Sequence, residues 1–289
     1  MKAKALIEVG FYYLIIAACG WFTFEYFEGE SSIARFFYAD LAMTVVTFIF
    51  SLFKKNSSMY DAYWSVIPFY FILAWYHAFG GQDWTIYHWS AAFVVSFWSW
   101  RLTFNWGIGW PGWHHEDFRY VNFRHQFKQY FQPINFSAIH LYPTLIVFAS
   151  ILGLFWVYEL GELESSGLFW LGFALGIIGT LLELFADREL IRFRKRPNPK
   201  KEDLLQSGLW AHMRNPNYLG EILFWFGLMF MGFGYGAPWY TALGPVGMLA
   251  MFVFASIPMK EKQMMKKRPE AFQDYKRRVP MLLPLGRKK

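Results

Sequence analysis

Long apolar runs, separated by short polar stretches, recur along this chain. A helix needs roughly 17–25 apolar residues to cross the ~30 Å hydrocarbon core of a membrane, and eight runs of about this length are present. The second, third, seventh and eighth runs are the weakest, so the pattern predicts seven or eight crossings. The predicted spans cover residues 5–24, 36–53, 64–79, 84–106, 138–158, 167–186, 219–235 and 239–257.

The composition supports a membrane protein. Of the 289 residues, 55% are hydrophobic and only 17% are charged, whereas about 25% are charged in a typical soluble domain. We see no internal repeat or flexible linker. The sequence therefore predicts an all-α fold, a polytopic bundle of transmembrane helices, with residues 1–289 forming a single integral membrane domain.

The distribution of basic residues predicts the orientation of the bundle. Lys and Arg accumulate in cytoplasmic loops. With eight spans and a cytoplasmic N-terminus, every Lys and Arg except Arg35 and Arg101 falls in an inner segment. Both termini are therefore predicted to be cytoplasmic, and we expect the bacterial inner membrane as the location. The net charge of +7 follows from this orientation, so it indicates the lipid bilayer as a partner and no nucleic acid. It gives no oligomeric state.

Ionisable residues at membrane depth are candidates for a functional site, because burying them in lipid is costly. Arg101 is the clearest case, since it follows an aromatic run near the inner end of the fourth predicted span. It can pair there with a buried carboxylate or with a phosphate. The alternative is that its side chain extends to the inner interface without a ligand.

The motif "HMRNPNYLGE" at residues 212–221 opens the seventh predicted span. Asn215 suits the N-cap and Pro216 the first turn, so a helix is predicted to begin here with its positive dipole end toward the cytoplasm. Asn217 and Glu221 are four residues apart and share one helical face, which lets them contact the same ligand. The alternative is an ordinary capped helix start, with Glu221 paired to a basic neighbour.

The preceding inner segment adds charge of both signs. The sixth span is predicted to continue as a helix that places Glu183 and Asp187 on one stripe and ends at the prolines of "RPNP". Arginines for phosphate and carboxylates for a ribose hydroxyl, opposite a helix N-terminus, are typical of a nucleotide site. The alternative is an anchor for anionic lipid. The arginines around the stripe are Arg188, Arg192 and Arg194.

Two further polar clusters lie at predicted inner loops. The first, "HHEDFRY" at residues 114–120, contains Arg119 and Tyr120. A metal site is not predicted there, because neighbouring residues point apart on a helix and the spacing matches no familiar metal motif. The second places Asp61 and Tyr63 at the inner mouth of the third span. It is either part of a site or a capped helix start in an aromatic belt.

The order of these motifs resembles a known superfamily. Asp187, Arg194 and Asn198, then "GLWAHMRNPNYLGE", "IPMKEKQ", Phe272 and Tyr275, resemble the C-terminal half of the membrane steroid 5-alpha-reductase-like superfamily. With "YDAYWSVIP" and "HEDFRY" upstream, the whole chain resembles a bacterial family of uncharacterised function within it. Residues 137–289 correspond to the cofactor-binding half.

The resemblance implies a helix bundle that holds NADPH in a cavity open to the cytoplasm. The implied reaction is hydride transfer to a conjugated double bond of a lipophilic substrate, such as an enone steroid, by an oxidoreductase of lipid metabolism. On this pattern, Arg101 matches a basic residue that meets the cofactor from the fourth span. The other candidate cofactor-binding residues are Arg119, Tyr120, Asp187, Arg194, Asn198, Asn217, Tyr218, Glu221 and Glu261.

Two departures from the steroid reductases determine the catalytic prediction. Their Gln-Glu-Leu-Pro stretch, which helps polarise the substrate ketone, is replaced by "YDAYWS". Their substrate-facing tyrosine is replaced by Trp98, which cannot donate a proton. Tyr63, supported by Asp61, is therefore the predicted catalytic pair, in which the phenol donates a hydrogen bond to an enolate oxygen.

Two other functions remain open. Isoprenylcysteine and phospholipid methyltransferases share the superfamily shape, and hold S-adenosylmethionine with an Arg-His-Pro-x-Tyr turn and a later Glu-Glu pair. This chain has Asn215 in place of the His and only Glu261 of the pair, which favours the reductase over methyl transfer to a lipid or small thiol. A non-enzymatic lipid-binding or transport protein would need no cofactor.

Overall fold

The computed structural model describes residues 2–79, 83–198 and 203–284. All regular structure in these ranges is helical, and the eight predicted spans fall largely within helices. Five helical runs are long and apolar enough to cross a membrane, so the protein is a multi-pass integral membrane protein, while the total number of crossings and their orientation stay predictions. The five are Lys2–Tyr26, Ser32–Lys54, Phe118–Glu159, Ser166–Arg194 and Trp239–Lys267.

The chain divides into two compact units, Met1–Leu160 and Gly161–Lys289. In the first, α1 packs on α2, α3 on α4, and α2, α3 and α7 contact one another. The helices are α1 (Lys2–Tyr26), α2 (Ser32–Lys54), α3 (Tyr60–Ala78), α4 (Ile86–Gly109), α5 (Phe118–Phe127), α6 (Phe131–Ile134) and α7 (Tyr142–Ile151), with a π-helical stretch, Asn135–Leu141, joining the last two.

Aromatic side chains fill the interior of the first unit. The rings of Phe71 and Trp75 are stacked at 5.8 Å. Phe36 meets both of them edge-on at 6.1–6.2 Å, and Phe155 meets Trp75 edge-on at 6.1 Å. All four are buried, and each such ring pair adds about 0.5–1.5 kcal/mol beyond burial. This packing explains part of the high aromatic content and holds α2 and α3 in fixed contact.

The second unit is organised around one close helix pair, α8 (Ser166–Arg194) and α9 (Pro216–Phe233), followed by α10 (Leu243–Met251), α11 (Ile257–Lys267) and α12 (Pro269–Arg278). Glycines at the α8–α9 contact allow the backbones to approach closely. A Cβ added to Gly227 would lie 2.6 Å from the Gly176 nitrogen, and one on Gly179 would lie 2.5 Å from the Gly220 oxygen. The start of α9 is thereby held against the middle of α8.

Two boundaries in this unit confirm the sequence prediction. The helix of the sixth predicted span continues past residue 186 and ends at Arg194, just before the prolines. The next long helix begins at Pro216, with Asn215 at the N-cap position.

Candidate functional site

A cavity of about 320 Å³ lies in the second unit, among the end of α8, the segment before α9, and helices α11 and α12. Its volume falls within the range of about 300–1,000 Å³ that is usual for small-molecule sites. Aromatic rings, including those of Phe193 and Trp210, form part of its wall. Among the residues that the structure describes, five cationic side chains line it, Arg194, Arg214, Lys260, Lys267 and Arg268, together with two carboxylates, Asp203 and Glu261.

Lys260 is held at the edge of this cavity by several contacts. Its Nζ donates a hydrogen bond to Asn215 Oδ1 at 3.0 Å and lies 4.9 Å and 5.0 Å from the ring centres of Trp210 and Tyr218. The Tyr218 ring in turn stacks on Phe252 at 5.0 Å. The cation is thus fixed near the N-terminus of α9, where an anionic ligand is favoured.

Glu261, a predicted cofactor-binding residue, forms part of the cavity wall but is neutralised by the protein itself. Its Oε1 accepts a hydrogen bond from Arg214 Nε at 2.8 Å, and its Oε2 lies 2.9 Å from Lys276 Nζ. Both carboxylate oxygens therefore already have cationic partners.

Asn217 and Glu221 lie in the first turns of α9, as predicted. Glu221 is only 4% exposed. The Oδ1 atom of Asn217 is buried and accepts no hydrogen bond from any residue in the described ranges. Because buried acceptors are normally satisfied, this atom is suited to a ligand that donates an N–H.

The remaining predicted residues of this unit lie along α8 and just beyond it. Asp187 is half-buried on α8, and Arg194 is the last residue of that helix and lines the cavity. Asn198 follows the helix with a positive φ of 52°, a conformation that asparagine tolerates better than most residues. The fold therefore brings Arg194 and Glu261 to one cavity, with Asp187 farther back along α8.

In the first unit, three predicted site residues come together where α3 and α5 begin. Asp61 forms a salt bridge with Arg119 at 2.8 Å and accepts a hydrogen bond from the Tyr120 hydroxyl. Arg119 also pairs with Asp117 at 2.7 Å. These contacts join the start of α3 to the start of α5. Asn56 reinforces the connection, since its Nδ2 donates to two carbonyl oxygens of the 113–115 segment at 2.9 Å each.

Tyr63 has a different partner from the one that the sequence suggested. Its hydroxyl donates to Asp40 Oδ1 at 3.0 Å and lies 3.3 Å from Thr44 Oγ1, whereas Asp61 is bound to Arg119 and Tyr120. The predicted support of Tyr63 by Asp61 is therefore wrong. The reason is geometric, because residues two apart on a helix do not face each other.

Asp40 was missed by the sequence reasoning. It is 1% exposed on α2, and its Oδ2 has no hydrogen-bond partner in the part of the chain that the structure describes. A buried hydroxyl chain continues from Thr44 to Thr144 at 2.8 Å and on to Tyr60 at 2.7 Å. The available signal was a lone carboxylate inside the second apolar run.

Arg101 lies on α4 in the first unit and is 4% exposed. Its guanidinium is therefore enclosed by protein. The alternative that this side chain reaches the aqueous interface does not hold.

These observations define a multi-pass helical membrane protein with buried polar groups in its bundle and a cation-lined cavity of ligand size. Comparison with known families makes the assignment specific. The model of the family described as "Protein of unknown function (DUF1295)" matches residues 47–279. The chain belongs to this family, within the steroid 5-alpha-reductase-like superfamily.

Three relatives extend this assignment. A Schizosaccharomyces pombe protein described as uncharacterised is 26% identical over 71% of this chain and 69% of its own length. The steroid 5-alpha-reductase DET2 of Solanum lycopersicum is 31% identical over 26% of this chain and 30% of its own length. The methanethiol S-methyltransferase of Pseudomonas deceptionensis is 23% identical over 56% and 65%.

The chain thus spans less than two thirds of each of the two relatives that are named as enzymes. No solved structure matches the chain significantly.

Proposed function

We propose that the protein is a membrane-embedded reductase that uses NADPH to reduce a conjugated double bond in a lipophilic substrate, such as an enone lipid. The observation that carries this proposal is the cavity of the second unit, where the described lining has five cationic side chains and two carboxylates. A dinucleotide with several phosphate groups matches that charge balance.

The residues around the cavity suit different parts of a nucleotide. Arg194, Lys267 and Arg268 are the cations for its phosphates, since Arg214 is already paired with Glu261. Aromatic walls favour a flat base. Asn217 lies two residues after Asn215, which lines the cavity, and its buried Oδ1, which accepts no hydrogen bond in the described ranges, suits an amide N–H. Bound NADPH would supply a hydride.

In the first unit, Tyr63 is proposed to polarise the substrate carbonyl, with Asp40 in the supporting position first given to Asp61. Addition of a hydride to the β-carbon of an enone moves electrons to the carbonyl oxygen. A phenol hydrogen bond stabilises the enolate that forms. A proton from solvent then completes the reduction at the α-carbon.

A second candidate is S-adenosylmethionine-dependent methyl transfer, because the chain resembles a methanethiol S-methyltransferase over 56% of its length. Two observations favour the reductase. S-adenosylmethionine has no phosphate for the cationic cavity. The remaining glutamate of the methyltransferase pattern, Glu261, is bound by Arg214 and Lys276.

The test is to identify the small molecule that copurifies with the protein. The protein is purified in mild detergent without added ligand, denatured, and the released molecules are analysed by mass spectrometry. Recovered NADP(H) that is lost in Asn217→Ala, but kept in the exposed control Asn122→Ala, would support the proposal. Recovery of S-adenosylmethionine or its demethylated product would overturn the reductase proposal in favour of methyl transfer.

A further inference from the structure

The C-terminal segment, here residues 276–281, is bound by the first two residues of the "RNPNY" motif, Arg214 and Asn215. The Arg214 amide donates to Pro280 O at 2.9 Å, and the Asn215 side-chain amide donates to Met281 O at 3.1 Å. The Arg214 guanidinium donates to Val279 O, and to Lys276 O at 3.3 Å. The two side chains thus reach three backbone carbonyls in or just after α12, and the Arg214 backbone amide reaches a fourth.

This contact explains a difference from the sequence prediction at the start of α9. Asn215 occupies the N-cap position but makes no side-chain capping bond. Instead, its side-chain amide donates a hydrogen bond to Met281 O, and its Oδ1 accepts one from Lys260 Nζ. Asn215 is thus at the N-cap position, as predicted, but its side chain makes no capping bond because it binds the C-terminal segment and Lys260.

The Arg214 side chain is suited to this role by its shape. It is 8% exposed, with Nε paired to Glu261 at 2.8 Å and Nη1 directed at the carbonyls. A planar guanidinium can donate to the Glu261 carboxylate and to the backbone carbonyls at the same time, whereas a lysine ammonium is a single point of charge. The buried charge is balanced by Glu261, so the arrangement needs no ligand to form.

The bound segment holds α12, and α12 supplies part of the cavity wall. Phe272 and Tyr275 are buried on α12 and line the cavity. The Tyr275 hydroxyl donates to Trp210 O at 2.5 Å. Burial raises the pKa of the Tyr275 phenol, so it stays a hydrogen-bond donor at neutral pH. The helix is therefore fixed both at Tyr275 and at its C-terminal end.

We propose that Arg214 is a positioning residue that, with Asn215, fixes residues 276–281 to the start of α9 and so keeps α12 in place as a wall of the cofactor cavity. The motif then has two tasks. Arg214 and Asn215 bind the C-terminal segment, whereas Asn217 and Glu221, in the first turns of α9, are the residues proposed to contact the ligand. The effect on the cofactor rests on the proposed function, whereas the effect on the C-terminal segment does not.

The experiment compares Arg214→Ala and Arg214→Lys with wild type and with Arg277→Ala, which removes an exposed cation from the same helix. Hydrogen–deuterium exchange of peptides from residues 269–284 reports on the C-terminal segment, and the fluorescence of added NADPH reports on binding. Both Arg214 variants should exchange at least about tenfold faster in this segment and bind NADPH at least about tenfold more weakly. Arg277→Ala should match wild type in both.

Unchanged exchange in a folded Arg214→Ala protein would overturn the proposal. Faster exchange with unchanged NADPH affinity would also overturn it, since α12 would then not shape the site. If both variants misfold, a chain ending at residue 279 tests the same contacts, because it removes the Pro280 and Met281 carbonyls and keeps Arg214. If wild type binds no NADPH, the proposed function fails, and exchange still decides whether Arg214 holds the segment.

Discussion

The hydroxyl of Tyr63 lies 3.0 Å from Oδ1 of Asp40, and both side chains are buried. A phenol has one proton to donate. An ionised Asp40 accepts that proton and leaves none for a ligand, whereas a protonated Asp40 can donate to the Tyr63 oxygen and free the phenol proton. The protonation state of Asp40 therefore decides whether Tyr63 can donate to a substrate carbonyl.

This relationship predicts different effects at the two residues. Tyr63→Phe should lower kcat by roughly 10²–10³, the cost of losing one donor to a developing oxyanion. Asp40→Asn should lower kcat much less, because the new amide can donate a hydrogen bond to the Tyr63 oxygen as a protonated carboxyl does. The measurement is NADPH oxidation with a panel of enone lipids in mixed vesicles. The control is Tyr76→Phe, at an exposed tyrosine of the same helix.

An Asp40→Asn protein as inactive as Tyr63→Phe would contradict this account. It would mean that the ionised carboxylate itself is needed.

Arg194 is predicted to bind a cofactor phosphate. Arg194→Ala should weaken NADPH binding by about 1.5–3 kcal/mol at low salt, as expected for loss of a charge-assisted hydrogen bond, and by less at high salt because of screening. Arg188→Ala is the matched control, since Arg188 is an exposed arginine on the same helix. Titration at two salt concentrations checks the prediction. Equal losses in both variants would indicate a general charge effect and no phosphate contact.

The helices could be predicted from the sequence because each depends on a local pattern. The apolar runs located the long helices, and the prolines at 197 and 216 marked a helix end and a helix start that the structure confirms. Asp40 could also have been found, since a lone carboxylate in an apolar run is a recognisable signal.

The contacts between distant segments could not be predicted in the same way. Arg214 meets the carbonyl of Val279, 65 residues later, and a backbone acceptor has no sequence signature. Asp61 and Arg119 are separated by 58 residues. Their pairing is evident only once the start of α3 and the start of α5 are seen together.

The Asp61 contacts predict a structural effect that can be separated from catalysis. Asp61→Ala removes the acceptor of the Tyr120 hydroxyl and one of the two carboxylate partners of Arg119, which keeps Asp117, at a cost of about 1.5–3 kcal/mol. The Tm in detergent should fall by roughly 2–4 °C for each kcal/mol lost. Asp61→Asn keeps an acceptor for Tyr120 and should lose less. Both Asp61 variants should keep a normal kcat per folded molecule. An unchanged Tm with lost activity would restore the catalytic role that the sequence suggested for Asp61.

The glycine contact between α8 and α9 predicts that small additions will damage the second unit. In Gly227→Ala the new Cβ would lie 2.6 Å from the Gly176 nitrogen, so the backbones must separate, at a cost of about 1–3 kcal/mol. Gly10→Ala is the control, because a Cβ there meets no atom within 4 Å and alanine favours a helix. Thermal unfolding should show a lower Tm for Gly227→Ala and an equal or higher Tm for Gly10→Ala. Since α9 carries Asn217 and Glu221, the same displacement should also weaken NADPH binding. If Gly227→Ala keeps both its Tm and its affinity, the α8–α9 contact is not what positions the start of α9.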